Sequence, residues 1–299
     1  MGDYLRTPVL AQREGTVPPR STPTARQRRL GAELRKLRER AGLSSTEAAR
    51  QLNITPSRLS AIEGGRYGVS EERVRTFASH YGCADKALID ALAAMTRGRR
   101  RYWWEEYRGV LPADMLDLAE LEYHATAIRT TQVSHLPGLL QTVDYARCVF
   151  HQHIPELPPP LLEYRTSHRI KRQQIFLGDN PKPYQAVIHE AALRMLFGGN
   201  EVTKHQLNHL ADMSEHDNIT VRVVPFAAGA FPGSGQTVLY AEGAVPQLDT
   251  VQLDTEHGAV QLFADVQLAN YRTSMRRFEQ IALDPDDSRK FIRSIARAL

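Results

Sequence analysis

The chain has 299 residues, 42% of them hydrophobic and 24% charged, with a formal net charge of +4. That length allows two domains with a sizeable core, and that balance is the one found in globular rather than disordered or membrane-embedded proteins. No apolar run approaches a membrane span, and nothing at the N-terminus reads as a signal peptide. Cys83 and Cys148 are too few for a disulfide framework, so a cytoplasmic location is expected.

Residues 1–25 carry Pro8, Pro18, Pro19 and Pro23 among Thr, Ser and Arg, with no helical or strand period, and are expected to form a disordered arm. Residues 26–96 read as a five-helix domain. Leu30, Leu34, Leu37 and Ala41 mark one face of its first helix. Ser44 is an N-cap with Glu47 completing a capping box, and Ala48 and Leu52 lie one turn apart on the buried face. Asn53 tolerates the left-handed conformation that ends this short helix. Thr55 then caps the next, with Pro56 at its first position, Leu59 and Ile62 as its apolar stripe, and Gly64-Gly65 as its stop. Two short helices on so tight a link make a helix-turn-helix, which places its second helix in the DNA major groove.

An ordinary helical hairpin shares this spacing, and charge decides between the two. From Arg26 to Arg66 there are ten Lys/Arg and four Asp/Glu, a net of +6, so the rest of the chain sums to −2. Basic charge gathered on the helix-turn-helix is what a phosphate-binding surface requires. Ser70 caps a fourth helix carrying Val74, Phe77, Ala78 and Tyr81, and a fifth runs from about Ala84 to Met95.

The residues Leu34, Leu37-Arg38, Gly42-Leu43-Ser44, Glu47-Ala48-Ala49 and Ser57 to Gly64 resemble the XRE family of helix-turn-helix domains, the class of the phage repressors. That resemblance implies a buried ion pair between Arg38 and Glu63. It also implies that Pro56, Ser57 and Ala61 face base edges with Arg58 beside them. Ser45 stands where the family commonly has a phosphate-contacting Gln, so that contact is expected to be weaker or made by a backbone N–H alone. Thr55, Ser60 and Arg66 complete the expected DNA-contacting set. Pro56 and Ala61 offer only apolar contact, for instance to a thymine methyl, so the operator sequence is not legible.

Residues 97–102, with Arg97-Gly98-Arg99-Arg100-Arg101, mark a linker, and Trp103-Trp104 follow at once. Basic residues beside aromatics can grip nucleic acid, but docking of the tryptophans into a second domain is favoured. Residues 103–299 read as an α+β domain with a small mixed sheet. A helix is expected over Leu116, Ala119, Tyr123, Ala127 and Thr130, then an extended piece from Val133 to Pro137. Thr142 caps a helix, and Pro158-Pro159-Pro160 opens another. Tyr184 to His189 and Ile219 to Val224 read as strands, with helices near Glu190–Phe197 and Glu201–His216 between them, which implies a parallel pair. Residues 236–241, 248–254 and 259–263 suggest a meander, and two helices close the chain.

Three stretches carry a second resemblance: Leu136 to Arg147, Val187 to Arg194 and Val221 to Phe226. Together they are similar to the domain of unknown function that follows an XRE domain in actinobacterial regulators of the WhiJ group. The resemblance implies a small protein partner encoded nearby, as for antitoxin-like proteins. His189 stands where that pattern has an acidic residue.

No catalytic constellation emerges, and no cofactor or metal is expected. His205 and His209, with His216 nearby, lack the His-Glu-x-x-His pattern and read as a surface pair; His151 and His153 are weaker still. The Gly229–Gly235 stretch lacks the Lys-Ser/Thr ending of a phosphate loop, and Ser234 has no nucleophile-elbow spacing. Trp103, Trp104, Gln141, Tyr145 and Arg147 form the candidate ligand or partner pocket. The expectation is a homodimeric transcription regulator, a repressor, binding a double-stranded operator through paired half-sites. The rivals are an antitoxin-like protein that sequesters a small protein and a sensor of a small-molecule effector.

Overall fold

The computed structural model describes residues 22–97, 102–178, 180–230, 235–255 and 258–299. Most of the expected arm, residues 98–101 of the expected linker, and residues 231–234 with Ser234 lie outside them.

The N-terminal region is helical: α1 (Ala25–Arg40), α2 (Ser45–Gln51), α3 (Pro56–Glu63), α4 (Glu71–His80) and α5 (Lys86–Ala94). Each start has a local cause. Thr24, Ser44, Thr55, Ser70 and Asp85 all accept a hydrogen bond from a backbone N–H of the first turn they precede. Thr24 with Gln27 and Ser44 with Glu47 close full capping boxes, so residues 24 and 25 belong to a helix start rather than to the arm. Asn53 takes φ 52° and turns the chain from α2 to α3. Leu34, Leu59, Val74, Phe77 and Leu92 are fully buried at the centre of one core.

The C-terminal domain is α+β. Its strands β1 (Ala127–Gln132), β2 (Tyr184–His189), β3 (Ile219–Val224), β4 (Val238–Glu242), β5 (Thr250–Thr255) and β6 (Gly258–Leu262) form one mixed sheet in the order β3-β2-β1-β4-β5-β6. Strands β1, β2 and β3 are parallel neighbours, and β4, β5 and β6 continue from β1 as an antiparallel meander. Its helices are α6 (Ala113–His124), α7 (Val143–His151), α8 (Pro159–Arg172), α9 (Glu190–Arg194), α10 (Gly199–Met213), α11 (Asp265–Ile281) and α12 (Pro285–Ala298).

Strand alternation explains the layers. Ile128, Ala186, Ile188, Val221, Val223 and Ala241 point to one face and pack with α10 and α12. Val187, Val224, Val238, Tyr240 and Val251 point to the other, where Leu268, Met275 and Phe278 of α11 cover them. Tyr240 donates to Asp249 at 2.6 Å, and Arg272 of α11 pairs with the same carboxylate at 2.8 Å.

One element differs from expectation. The helix expected to run past Ala127 stops at His124, and Ala127–Gln132 is the central strand. Ile128, Thr130 and Thr131 are β-branched, and their burial against parallel and antiparallel neighbours outweighs the helical spacing of the upstream apolar residues.

Helix α1 joins the two domains. One side packs on α3, where Gly31 brings the backbones together: a Cβ there would lie 2.5 Å from the Glu63 carbonyl oxygen. The other side meets α6 and the β5–β6 edge. Asp117 of α6 accepts from the Ala25 N–H at 3.0 Å and pairs with Arg28 at 3.2 Å. Arg29 pairs with Glu33 at 3.0 Å, donates to the Gln247 carbonyl at 2.7 Å and lies 4.5 Å over the Phe263 ring. Lys36 donates to Glu33 and to the Phe263 carbonyl, and Arg40 pairs with Asp265.

Substituting Gly31→Ala tests the close crossing. In an open helix the change is worth about 1 kcal/mol of added stability. Here overpacking against the α3 backbone is expected to reverse the sign, with a net loss of roughly 1–3 kcal/mol. Urea denaturation of the full-length protein measures it, and a stabilised variant would mean that α1 and α3 are not so close.

Candidate nucleic-acid interface and C-terminal cleft

The face of the helix-turn-helix away from the core carries the expected contact residues. Pro56, Ser57, Arg58 and Ser60 are exposed on α3, Ala61 and Ser45 are partly exposed, and Arg66 lies exposed just beyond. Thr55 accepts from the Arg58 N–H at 3.2 Å and its hydroxyl lies 3.1 Å from that of Ser57, so the N-terminal turn is locked. Arg58 is also held. Its Nη2 donates to the Tyr67 hydroxyl at 2.9 Å, and its guanidinium lies 4.6 Å over the Tyr67 ring. Tyr67 is 47% exposed and was not legible as a site residue, because it follows the Gly64-Gly65 stop and belongs to no period.

Behind this face, Arg38 and Glu63 form a two-point ion pair, Nε to Oε1 at 2.6 Å and Nη2 to Oε2 at 3.0 Å. Both side chains are 8% exposed, and the remaining Nη1 donates to the Leu43 carbonyl at 2.8 Å. The hydrogen bonds that Arg38 donates to the Glu63 carboxylate raise the Arg38 pKa above its ordinary value. The pair pins α3 to α1 and so fixes how the reading helix projects.

The net basic charge of this region is not a single phosphate-binding surface. Arg28, Arg29, Arg35, Lys36, Arg38 and Arg40 are each paired with a carboxylate. Arg26 is half-buried in the cleft between the domains near Glu120 and Tyr102. Arg50, Arg58 and Arg66 are left exposed beside the helix-turn-helix face. Glu33, Glu39 and Glu63 of the region itself hold four of these cations, and Asp117 and Asp265 of the C-terminal domain hold Arg28 and Arg40.

The five residues expected to share a C-terminal pocket do not converge. Trp104 is 2% exposed in a cluster with Tyr107 and Leu116, and Trp103 stands edge-on to it. Trp103 also packs on His168, whose two ring nitrogens are buried without a partner and whose pKa burial lowers to about 3. Tyr145 is fully buried beside Phe197 in the sheet core. Arg147, two residues on and so across α7, faces outward to Glu163 at 2.9 Å. Gln141 alone lines the cavity of about 480 Å³ enclosed by α6, α8 and strands β1, β4 and β5.

That cavity has a mixed lining that includes charged groups. Arg172 makes a two-point pair with Glu122 at 2.7 and 2.5 Å, both deeply buried. Arg169 donates from Nη1 to Gln141 Oε1 at 2.7 Å and lies 4.1 Å over the Phe150 ring. Thr130 Oγ1 donates to the Val238 carbonyl and accepts from Gln132 Nε2. Arg169 was missed in the sequence because one basic residue among Arg165, Arg169, Lys171 and Arg172 carries no mark of burial. Elsewhere His189 caps α9 by accepting from the Ala191 N–H, a role its acidic counterpart would also fill. Among the described residues, no group of three His, Cys, Asp or Glu is placed to hold a metal, and no helix is long and apolar enough to cross a membrane.

Comparison with known families adds two matches. A model described as Helix-turn-helix domain matches residues 29–92, and one described as Domain of unknown function (DUF5753) matches residues 115–294. No curated protein and no solved structure matches the chain. The second match spans more than half of the chain, and the protein belongs to the DUF5753 family. The helix-turn-helix match points to DNA as its partner.

Two measurements follow from this geometry. Arg38→Met strands the Glu63 carboxylate and is expected to cost about 3–5 kcal/mol, whereas Arg38→Met with Glu63→Leu recovers most of that loss. Thermal melts of the single and double variants decide it, and unchanged melting of Arg38→Met would remove the pair from the fold's support. Second, Arg50, Arg58 and Arg66 together set a ceiling of about −2.7 on the log–log salt slope per bound chain, far from the roughly −9 that ten phosphate contacts would give. Fluorescence anisotropy on a duplex over a range of KCl concentrations measures that slope.

Proposed function

We propose that this protein is a sequence-specific transcription regulator of the XRE and WhiJ-like kind, a repressor acting as a homodimer in the cytoplasm. In this reading α3 enters the major groove, Ser57 and Arg58 meet base edges, and Thr55, Ser45 and Arg66 meet phosphate. The C-terminal domain binds rather than catalyses. It senses a partner or ligand and sets where α1, and with it α3, stands.

The observation that carries this reading is the capped, exposed face of α3, with Arg58 pre-aimed by Tyr67. A held guanidinium loses less rotamer freedom on binding, and base contacts from a helix N-terminus are the usual docking of this motif. Dimerisation would match the two-fold symmetry of a palindromic operator. Docking of α1 on α6 and the β5–β6 edge supports control by the C-terminal domain, because any shift of that edge moves the reading helix.

Selection from random duplexes would supply the operator. On it, Ser57→Ala and Arg58→Ala are each expected to weaken binding five- to a hundredfold, about 1–3 kcal/mol, with unaltered melting. Tyr67→Phe removes one hydrogen bond and is expected to cost less than Arg58→Ala. Variants that footprint like the wild type would show that α3 is not the reading helix. Sedimentation of the full-length protein tests the dimer, and a monomer at micromolar concentration would refute it.

A further inference from the structure

We propose that the cavity between α6, α8 and strands β1, β4 and β5 binds a small organic monoanion, a carboxylate, through Arg169. This rests on the sensing role proposed above and names the chemistry it would sense.

The volume of about 480 Å³ lies within the range of small-molecule sites. Its lining joins apolar groups such as Leu139 and Leu239 to hydrogen-bonding ones, with Thr130, Gln132, Gln141 and Gln252 contributing a hydroxyl and amides. Charge counting then selects the ligand. Arg172 is neutralised by its two-point contact with Glu122. Arg169 has no carboxylate within ion-pair distance among the described residues, its Nε is buried without an acceptor, and Gln141 takes the hydrogen bond it donates from Nη1. Burial and the neighbouring Arg172 pull its pKa down. A guanidinium nevertheless keeps its proton near neutrality, so this cost appears as attraction for an anion. A carboxylate fits the planar fork. Asp254, exposed at the mouth and within reach of the Gln252 amide at 3.3 Å, opposes a second negative charge. One cation free and one anion at the rim favour a monoanion over a dianion.

The cavity also reaches α1 through two elements. Helix α6 carries Glu122 in the cavity wall and Asp117 at the start of α1. Strand β5 carries Gln252 in the wall and Thr250, on the same face, 3.5 Å from Arg29.

Acetate, the minimal carboxylate probe, is titrated into the full-length protein against chloride at matched ionic strength while melting is followed. A saturable rise in melting temperature with acetate and not with chloride is expected, together with its loss in Arg169→Met. Asp254→Asn, at an exposed position, is expected to raise acetate affinity about two- to fivefold by removing a like charge. It serves as the independent arm should Arg169→Met fold poorly. Equal responses to acetate and chloride would overturn the proposal, as would full acetate binding by a folded Arg169→Met or no gain in Asp254→Asn. Inorganic phosphate at pH 8 binding the wild type more tightly than acetate would overturn the monoanion assignment. Anisotropy on the selected operator separates the two readings. Acetate binding that depends on Arg169 upholds the site, and an operator affinity unmoved by it counts against the sensing role alone.

Discussion

Helix α1 is packed between two cores, and the remainder of the molecule is arranged around that. Its apolar stripe of Leu30, Leu34 and Leu37 belongs to the helix-turn-helix core. Its opposite side lies against α6 and the outer strands, with Arg29 and Glu33 buried as an ion pair. A buried pair is costly unless its remaining donors and acceptors are met. Here the Gln247 carbonyl, the Lys36 ammonium and the Phe263 ring meet them, and every one of these except Lys36 comes from the C-terminal domain. The docking is therefore specific, since a slide of one helical turn would strand both charges. Arg38 and Glu63 apply the same logic on the other side, where they fix α3 relative to α1.

This arrangement explains why so much positive charge gathers near the reading helix without forming one positive surface. Long cationic side chains suit a docking seam because their stems cover apolar area while their heads find carboxylates and carbonyls. Arg28, Arg29, Lys36 and Arg40 serve α1 in that way. The residues that project from α2, α3 and the following loop are few, and one of them, Arg58, is already oriented by Tyr67. Positional definition rather than bulk attraction is what this face supplies.

What was legible in the sequence was local. Three of the five helix starts in the N-terminal region were written in the capping residues Ser44, Thr55 and Ser70, and Pro56 and Asn53 shape the turn between α2 and α3 through their own backbone preferences. The parallel pair β2–β3 and the meander were legible because alternation survives wherever two faces are covered unequally. Strand β1 was not: Ala127–Gln132 follows a helical stretch directly, and its identity is decided by neighbours 56 and 115 residues away, Tyr184 beside Ile128 and Glu242 across from Ala127. The five residues expected to share a pocket scatter for the same reason. Tyr145 and Arg147 stand together in sequence yet point into the core and into solvent, whereas Arg169, Glu122 and Gln252, which line one cavity, come from three elements.

Those three elements also bound how a signal could act. A ligand shifts a conformational equilibrium only by the difference between its affinities for the two states. A buried cation without a carboxylate in ion-pair contact is a source of such a difference, because its contact with an anion depends steeply on distance where solvent screening is reduced. Arg169 sits on α8, while Glu122 and Gln252 sit on α6 and β5, the two elements that also hold α1. Closing the cavity around an anion draws α8 toward α6 and β5, and those two cannot move without carrying Asp117 and Thr250 against α1. Coupling by this route needs no displacement within the helix-turn-helix, whose helices share one core and are tied by the Arg38–Glu63 pair. It needs only a change in the seat on which α1 rests.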